Sequence, residues 1–386
     1  MKRVALPFAL VTLALLSGGA AAQIVHKVPQ DFLTIQEAVD ASANSDQIVI
    51  SAGTYAESVV IEGLSFLNIT CKGKVVIAPA AGAGLTVDSS PSCYIEKLRV
   101  LGGDPAGIHL VNTTNCVFFK CRVDDALADG IRIEGGSGNQ IIKCTVKNAA
   151  NDAISLAGGS VNFTDGNLIT TCKFIQPGND GVVVNGSGNL IDACTVTKPV
   201  GDGFELDDTT AGLSNRIQDG KAVHPGGAGL IVTGDGARIE NMKFIAAGGN
   251  GAEVNSGTDA RFTGCKFTKP GGNGLLCNAG AAQLTDSKIT KPGGNGVWQK
   301  GDDTVISGNK ISGAGGSGFK IEGDDGSYVG NSSTGAQGNG FDLTGATGNT
   351  LTGNKAKGSK GFDLNDPVPA DNDVDLTLND FKTVGP

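Results

Sequence analysis

Apolar and polar residues alternate in short runs that recur along most of the chain. In GIRIE, residues 130–134, Ile131 and Ile133 are separated by Arg132. In IIKCTVK, residues 141–147, Ile142, Cys144 and Val146 are separated by Lys143 and Thr145. Period-two alternation bounded by Gly, Asn and Asp marks strands, not helices. A Gly followed by such a triplet recurs at Gly107, Gly130, Gly181, Gly203, Gly229, Gly251, Gly274, Gly296, Gly318, Gly340 and Gly361, and Ala153 takes the Gly place once. Most steps are 21 to 23 residues, with longer ones of 28 before Gly181 and 26 before Gly229. A fixed period of this size is the mark of a solenoid. No helical pattern separates the units, so successive strands meet by coiling. The pattern predicts an all-β chain, a single-stranded parallel β-helix.

The ends of a solenoid expose apolar core and need covering. Thr34-Ile35-Gln36-Glu37 has capping-box spacing and opens a short amphipathic helix through Ser42, suited to plug the first end. A strand over Gln47–Ser51, a turn at Ala52-Gly53-Thr54 and a strand over Ser58–Ile61 follow. This stretch, VPQDFLTIQEAVDASANSDQIVISAGTYAESVVI, resembles the entry segment of the pectin-lyase-like right-handed β-helix superfamily. With the Gly-started turns the resemblance covers residues 24–363. It implies a right-handed coil. It leaves the activity open, because that superfamily holds lyases, hydrolases, esterases, epimerases and proteins without known chemistry. Ala128-Asp129-Gly130 and Asn179-Asp180-Gly181 echo only the first of the polygalacturonase motifs. The Gly-His-Gly and Arg-Ile-Lys elements, the pectinesterase strands and the epimerase Asp-Pro-His are missing.

The first 22 residues stand outside this pattern. Lys2 and Arg3, an apolar run from Val4 to Leu16 and Ala20-Ala21-Ala22 read as a secretory signal peptide. The expected organisation is a signal peptide over 1–22, an N-terminal cap and first turns over 23–83, repeats over 84–363 and a C-terminal cap over 364–386. The mature chain is expected to be secreted or periplasmic, with no membrane insertion. Removing Lys2 and Arg3 makes the formal charge of −9 more negative by two. Such an acidic chain argues against nucleic acid, and against a polyanion unless cations or a local basic strip intervene.

Nine cysteines in an exported chain prompt a search for disulfides. Instead Cys121, Cys144, Cys172, Cys194 and Cys265 share one place in the repeat, which becomes Asn309, Asn331 and Asn354 later on. That pattern reads as an internal stack running from thiols to an asparagine ladder. Cys93 and Cys116 lie one period apart, so a vertical disulfide is geometrically open to them.

The residue before the repeat Gly is Asp129, Asp152, Asp180 and Asp202 in four consecutive turns, then Asn250, Asn273, Asn295 and Asn339. One reading is a corner, since Asp and Asn bond their own main chain. The other is a stack of carboxylates about 5 Å apart, able to shift one another's pKa, to act as acid and base, or to hold Ca2+ between Asp152 and Asp180. The outward place of the first strand runs His109, Arg132, Ser155, Val183, Glu205 and onward to Trp298, Lys320, Asp342 and Asp363. Arg132 or Lys198 is a candidate base for a lyase, with His109, Glu205, Lys198 and Trp298 as candidate substrate contacts. Lys198, Lys269 and Lys291, each followed by Pro, form a sparse basic strip. The leading expectation is a protein that binds an acidic polysaccharide along Asp129 to Glu205. If it is an enzyme, the resemblance points to a pectate-lyase-like lyase or a glycoside hydrolase. The alternative is a non-catalytic structural or adhesive rod.

Overall fold

The computed structural model describes residues 23–157, 166–207 and 214–385. The expected signal peptide and most of the two longer loops, expected at 158–166 and 207–212, lie outside these residues. The described chain is a right-handed parallel β-helix. Strands such as Asp129–Glu134 stack into a 15-stranded sheet, and the remaining strands form a 28-stranded sheet with two strands per repeat turn. At about 4.8 Å per turn the rod is roughly 70 Å long.

Each repeat holds three strands, one more than the alternation suggests. The IIKCTVK run is split into Gln140–Ile142 and Thr145–Lys147 by Lys143, whose φ of 54° turns the chain through a left-handed corner. The bend resets the alternation, so Ile141 faces the core in place of Ile142. Turns superpose in register: Ile131, Ile133, Ile141 and Val146 lie under Ile154, Leu156, Ile169 and Phe174, all buried. Burying a side chain of this size contributes about 1.5–3 kcal/mol. The repeat Gly is required by close approach. A Cβ on Gly130 would lie 2.2 Å from Val146 Cγ1 and 2.6 Å from the Ala153 carbonyl.

Ladders of polar side chains seal three corners. In the thiol-to-asparagine ladder, Asn309 Nδ2 donates to Asn331 Oδ1 and Asn331 Nδ2 to Asn354 Oδ1, both at 3.0 Å. The nine cysteines are free and buried, Cys93 and Cys116 included. Sγ of Cys144 donates to the Phe118 carbonyl one turn below, and Cys172 to that of Ile141. Burial pushes the thiols of Cys71 and Cys265 up to about 12. A second ladder, Asn139, Asn167, Asn189 and Asn215, escaped the sequence reading. Each of its first three backbone N–H groups donates to the Oδ1 one turn up.

The N-terminal helix spans Ile35–Asp40, capped by Thr34 and Glu37 as the spacing predicts. Ala52-Gly53-Thr54 is not a turn. The strand runs from Gln47 to Tyr55, and the neighbouring strand's extra residue is absorbed by a register shift between Ser51 and Gly53. The last turn starts two residues later than expected. Asn365, not Asp363, follows Asp342 in the outward row, and buried Asp363 stands at the Gly place. The tail keeps coiling: Asp373–Val374 and Val384–Gly385 join the two sheets, and Asn372 and Asn379 extend two ladders.

Candidate functional site

The register places His109, Arg132, Ser155, Val183 and Glu205 in one outward row of the 15-stranded sheet. The Asp ladder lies at the edge where these strands begin. Its first three members are buried rather than exposed, Asp129 being 2 % exposed and Asp152 and Asp180 each 7 %, and Asp202 is half-buried. Its carboxylates are used by the coil. Asp129 Oδ1 accepts from the Asp152 N–H at 3.3 Å, Asp152 Oδ1 from Asp180 at 3.0 Å, and Asp180 Oδ1 from Asp202 at 2.5 Å. Asp202 Oδ1 accepts from Ala228 at 2.5 Å.

A carboxylate ladder lacks the donors of an asparagine ladder, and the preceding residues supply them. Asn151 Nδ2 donates to Asp129 Oδ1 at 2.7 Å and to Asp152 Oδ2 at 3.3 Å. Asn179 Nδ2 likewise bridges Asp152 Oδ1 at 2.9 Å and Asp180 Oδ2 at 3.1 Å. Both oxygens of Asp152 and of Asp180 are therefore engaged. Farther up, Asn273 and Asn295 repeat the backbone bond at 2.6 and 2.8 Å without charge.

Electrostatics divide the row. At its lower end Arg132 Nε donates to Glu134 Oε1 at 2.5 Å, and Nη1 lies 3.6 Å from Asp129 Oδ2. His109 Nε2 is 3.2 Å from Glu134 Oε2. Burial alone would push the Glu134 carboxyl up; the bond from Arg132 overrides it and holds the group below its ordinary range. At the upper end the direction reverses. Glu205 is raised by burial and by the charges of Asp180, Asp202, Asp152 and Asp207. Asp152 and Asp202 are also raised, again by burial first and by their neighbours' charge, although backbone N–H groups pull the other way. Glu205 has no ion-pair partner among the described residues. It stands three strand steps from Arg132, about 14 Å along the rod.

Two candidates fall elsewhere. Trp298 is four steps above Glu205 in the same row, about 19 Å away. Its ring is covered by Lys300 and Lys320, whose ammonium groups lie 4.2 and 4.5 Å from the centroid. Lys198 is exposed at a left-handed corner, four residues before Asp202. His224 and Ala246 occupy that corner in the next two turns, so the expected strip of Lys198, Lys269 and Lys291 is interrupted.

Calcium fits this arrangement poorly. Asp152 and Asp180 spend their oxygens on the coil, and no group of three or more His, Cys, Asp or Glu among the described residues is placed to hold a metal.

The family described as "Right handed beta helix region" matches residues 34–174 and 228–366, well over half of the chain. No curated protein matches. Among solved structures the chain is similar to the catalytic domain of a GH87 α-1,3-glucanase bound to nigerose (TM-score 0.52, 14 % identity, 78 % of this chain) and spans 66 % of that domain's length. It is also similar to a mannuronic acid specific polysaccharide family 6 lyase from human gut microbiota (TM-score 0.55, 13 % identity, 92 % of this chain and 90 % of that one). A third is the siphovirus 9NA tailspike receptor binding domain (TM-score 0.50, 11 % identity, 82 % and 74 %). At these identities the likeness establishes the shared fold and no more.

Proposed function

The chain belongs to the right-handed β-helix family, and from that premise we propose that it is an exported polysaccharide-binding rod whose glycan-facing surface is the row from His109 to Glu205. The observation that carries this reading is Glu205, a half-buried carboxylate in the outward row, raised from its ordinary value and without an ion-pair partner among the described residues. Carboxylate oxygens accept hydrogen bonds from sugar hydroxyls, and a row of outward side chains runs along the rod as an extended polymer would. Arg132 and His109, three and four turns below, offer donors to an acidic ring farther along the same chain. Two of the structural neighbours are glycan-active enzymes, which supports a glycan partner in general terms. Lys2, Arg3, the apolar run and Ala20–Ala22 support a secreted or periplasmic location.

One observation favours a second reading. A general acid needs a raised pKa, and Glu205 is raised; Asp152, two turns below, has both oxygens engaged by the coil, so the partner in a hydrolase would be another carboxylate or a bound water. A lyase using Arg132 as base gains no support, because arginine keeps its proton in proteins and this one is held by two carboxylates.

The test is binding of neutral and uronate oligosaccharides to the folded chain, with and without calcium, alongside Glu205→Gln. We expect Glu205→Gln to weaken binding roughly tenfold, the loss of one charge-assisted hydrogen bond, with no loss of stability in unfolding. Release of reducing ends, abolished by Glu205→Gln, would establish the hydrolase. A folded chain that binds no glycan would leave the structural rod.

A further inference from the structure

A second charged surface lies on another strand of the coil. In five consecutive turns the third strand reads KAV, KFI, KFT, KIT and KIS. Strand pairing puts Lys221, Lys243, Lys266, Lys288 and Lys310 in exact lateral register, each opposite the next. All five are exposed. Their spacing is that of the strands, about 4.8 Å, so the charges form a straight line roughly 19 Å long.

The line is not neutralised by its surroundings. The lysines that pair with carboxylates are Lys97, Lys320 and Lys355, and none of the five does so among the described residues. The other outward place on these strands holds Val223, Ile245, Thr268, Thr290 and Ser312, all uncharged. Beyond it Lys269 and Lys291 add two exposed cations at the corner. On the opposite flank Asp219 and Asp286 stand at the bend, each two residues before a ladder lysine, and Glu240 is occupied by Arg216 at 2.7 Å. Like charges directly opposite one another on parallel strands repel. The alignment therefore works against the fold, in a chain whose net charge is −9. A line of aligned cations gains only when an anionic partner lies across it.

We propose that the lysine ladder from Lys221 to Lys310 is a docking surface for an acidic polysaccharide lying along the rod axis. An extended chain with an acidic group on each ring offers charge at short, regular intervals along a line, which is what the ladder complements. The hydroxyls of Thr268, Thr290 and Ser312 beside the lysines suit sugar hydroxyls. Nucleic acid fits less well. This face carries no outward aromatic ring for base stacking, since Phe244 and Phe267 are buried. Duplex phosphates also wind about their axis, whereas the ladder is straight. The proposal is independent of the Glu205 row, which carries charge of the opposite sign.

The experiment measures binding of the full chain to polygalacturonate oligomers, to dextran and to oligo(dT), across a range of salt. The variants are Lys243→Gln/Lys266→Gln/Lys288→Gln, the same three positions changed to Arg, and Glu205→Gln. We expect polygalacturonate binding that weakens with salt, falls roughly tenfold or more in the Gln triple and stays within about threefold in the Arg triple. Dextran should not compete, and the salt-dependent part of the polygalacturonate binding should persist in Glu205→Gln. The proposal is overturned if wild-type chain fails to bind polygalacturonate, if the Gln triple binds as wild type does, or if oligo(dT) binds more tightly. A Glu205→Gln loss with the Gln triple unaffected would place all glycan binding on the other face and equally overturn it.

Discussion

Asp152 separates a corner from a binding group, and the two kinds of substitution there have opposite expected signs. In Asp152→Ala the N–H of Asp180 and Nδ2 of Asn179 lose the oxygen they share. A buried N–H left unsatisfied costs about 1–3 kcal/mol. Removing the charge returns part of this. Carboxylates about 5 Å apart repel by roughly 1 kcal/mol in a water-like medium and by about 3 at an effective dielectric of 20. The net expectation for Ala is a loss of about 1–2 kcal/mol at neutral pH. Asp152→Asn keeps an acceptor, as Asn250 and Asn273 do in later turns, and removes the charge between Asp129 and Asp180. It should stabilise by about 1 kcal/mol at pH 7, a gain that fades as the carboxylate is protonated in acid. The assay is urea unfolding by circular dichroism at pH 7 and at acid pH, with amide exchange at residues 179–182 as the local readout. An Ala variant as stable as wild type, or an Asn variant as destabilised as Ala, refutes the ladder reasoning.

Other outcomes follow from the same geometry. Asp152, Asp202 and Glu205 are raised in the folded chain, so above the ordinary carboxylate range the folded state holds more protons than the unfolded one. Stability should then fall as pH rises through that window, and Asp202→Asn should flatten the slope of melting temperature against pH. The lowered carboxyls of Asp124 and Asp259, which burial and arginine bonds oppose and decide, lose their contribution only at lower pH. Asn331→Ala removes the amide that bonds the Ile306 carbonyl at 2.7 Å and the Asn309 N–H at 3.0 Å; a loss of about 2–4 kcal/mol in urea unfolding is expected. Because all nine thiols are buried and free, a thiol reagent should label the native chain only as fast as it opens, and nine sites promptly in denaturant. A disulfide found by mass spectrometry would contradict this.

The fold was legible wherever one residue per turn repeats. The Gly-started triplets, the capping box at Thr34 and the thiol-to-asparagine stack are periodic or local signals, and each corresponds to a structural element. What escaped depends on backbone geometry that the alternation does not encode. A left-handed corner at Lys143 shifts inward and outward places by one, so two strands read as a single run. The Asn139 ladder was hidden because its residues sit in turns that look like ordinary Gly-Asn loops, and two Cys precede them in the stack. The tail had lost its Gly, yet Leu364, Val374 and Val384 still pair in register. For the site, the sequence brought His109, Arg132 and Glu205 onto one row but could not show that the Asp oxygens face the next turn's backbone. The lysine ladder was present in plain sight as five KxΨ triplets, where Ψ is any uncharged residue. It emerged only when strand pairing put the five side chains opposite one another.

The central claim, that glycan lies on the row ending at Glu205, is tested most directly by carboxyl footprinting. The folded chain would be labelled with a carbodiimide and an amine, with and without saturating oligosaccharide, and read by mass spectrometry. We predict that labelling of Glu205 is suppressed by the glycan while that of Asp342, six strand steps up the same row, is unchanged. Equal labelling of Glu205 in both samples, with binding shown in the same solution, would contradict the account.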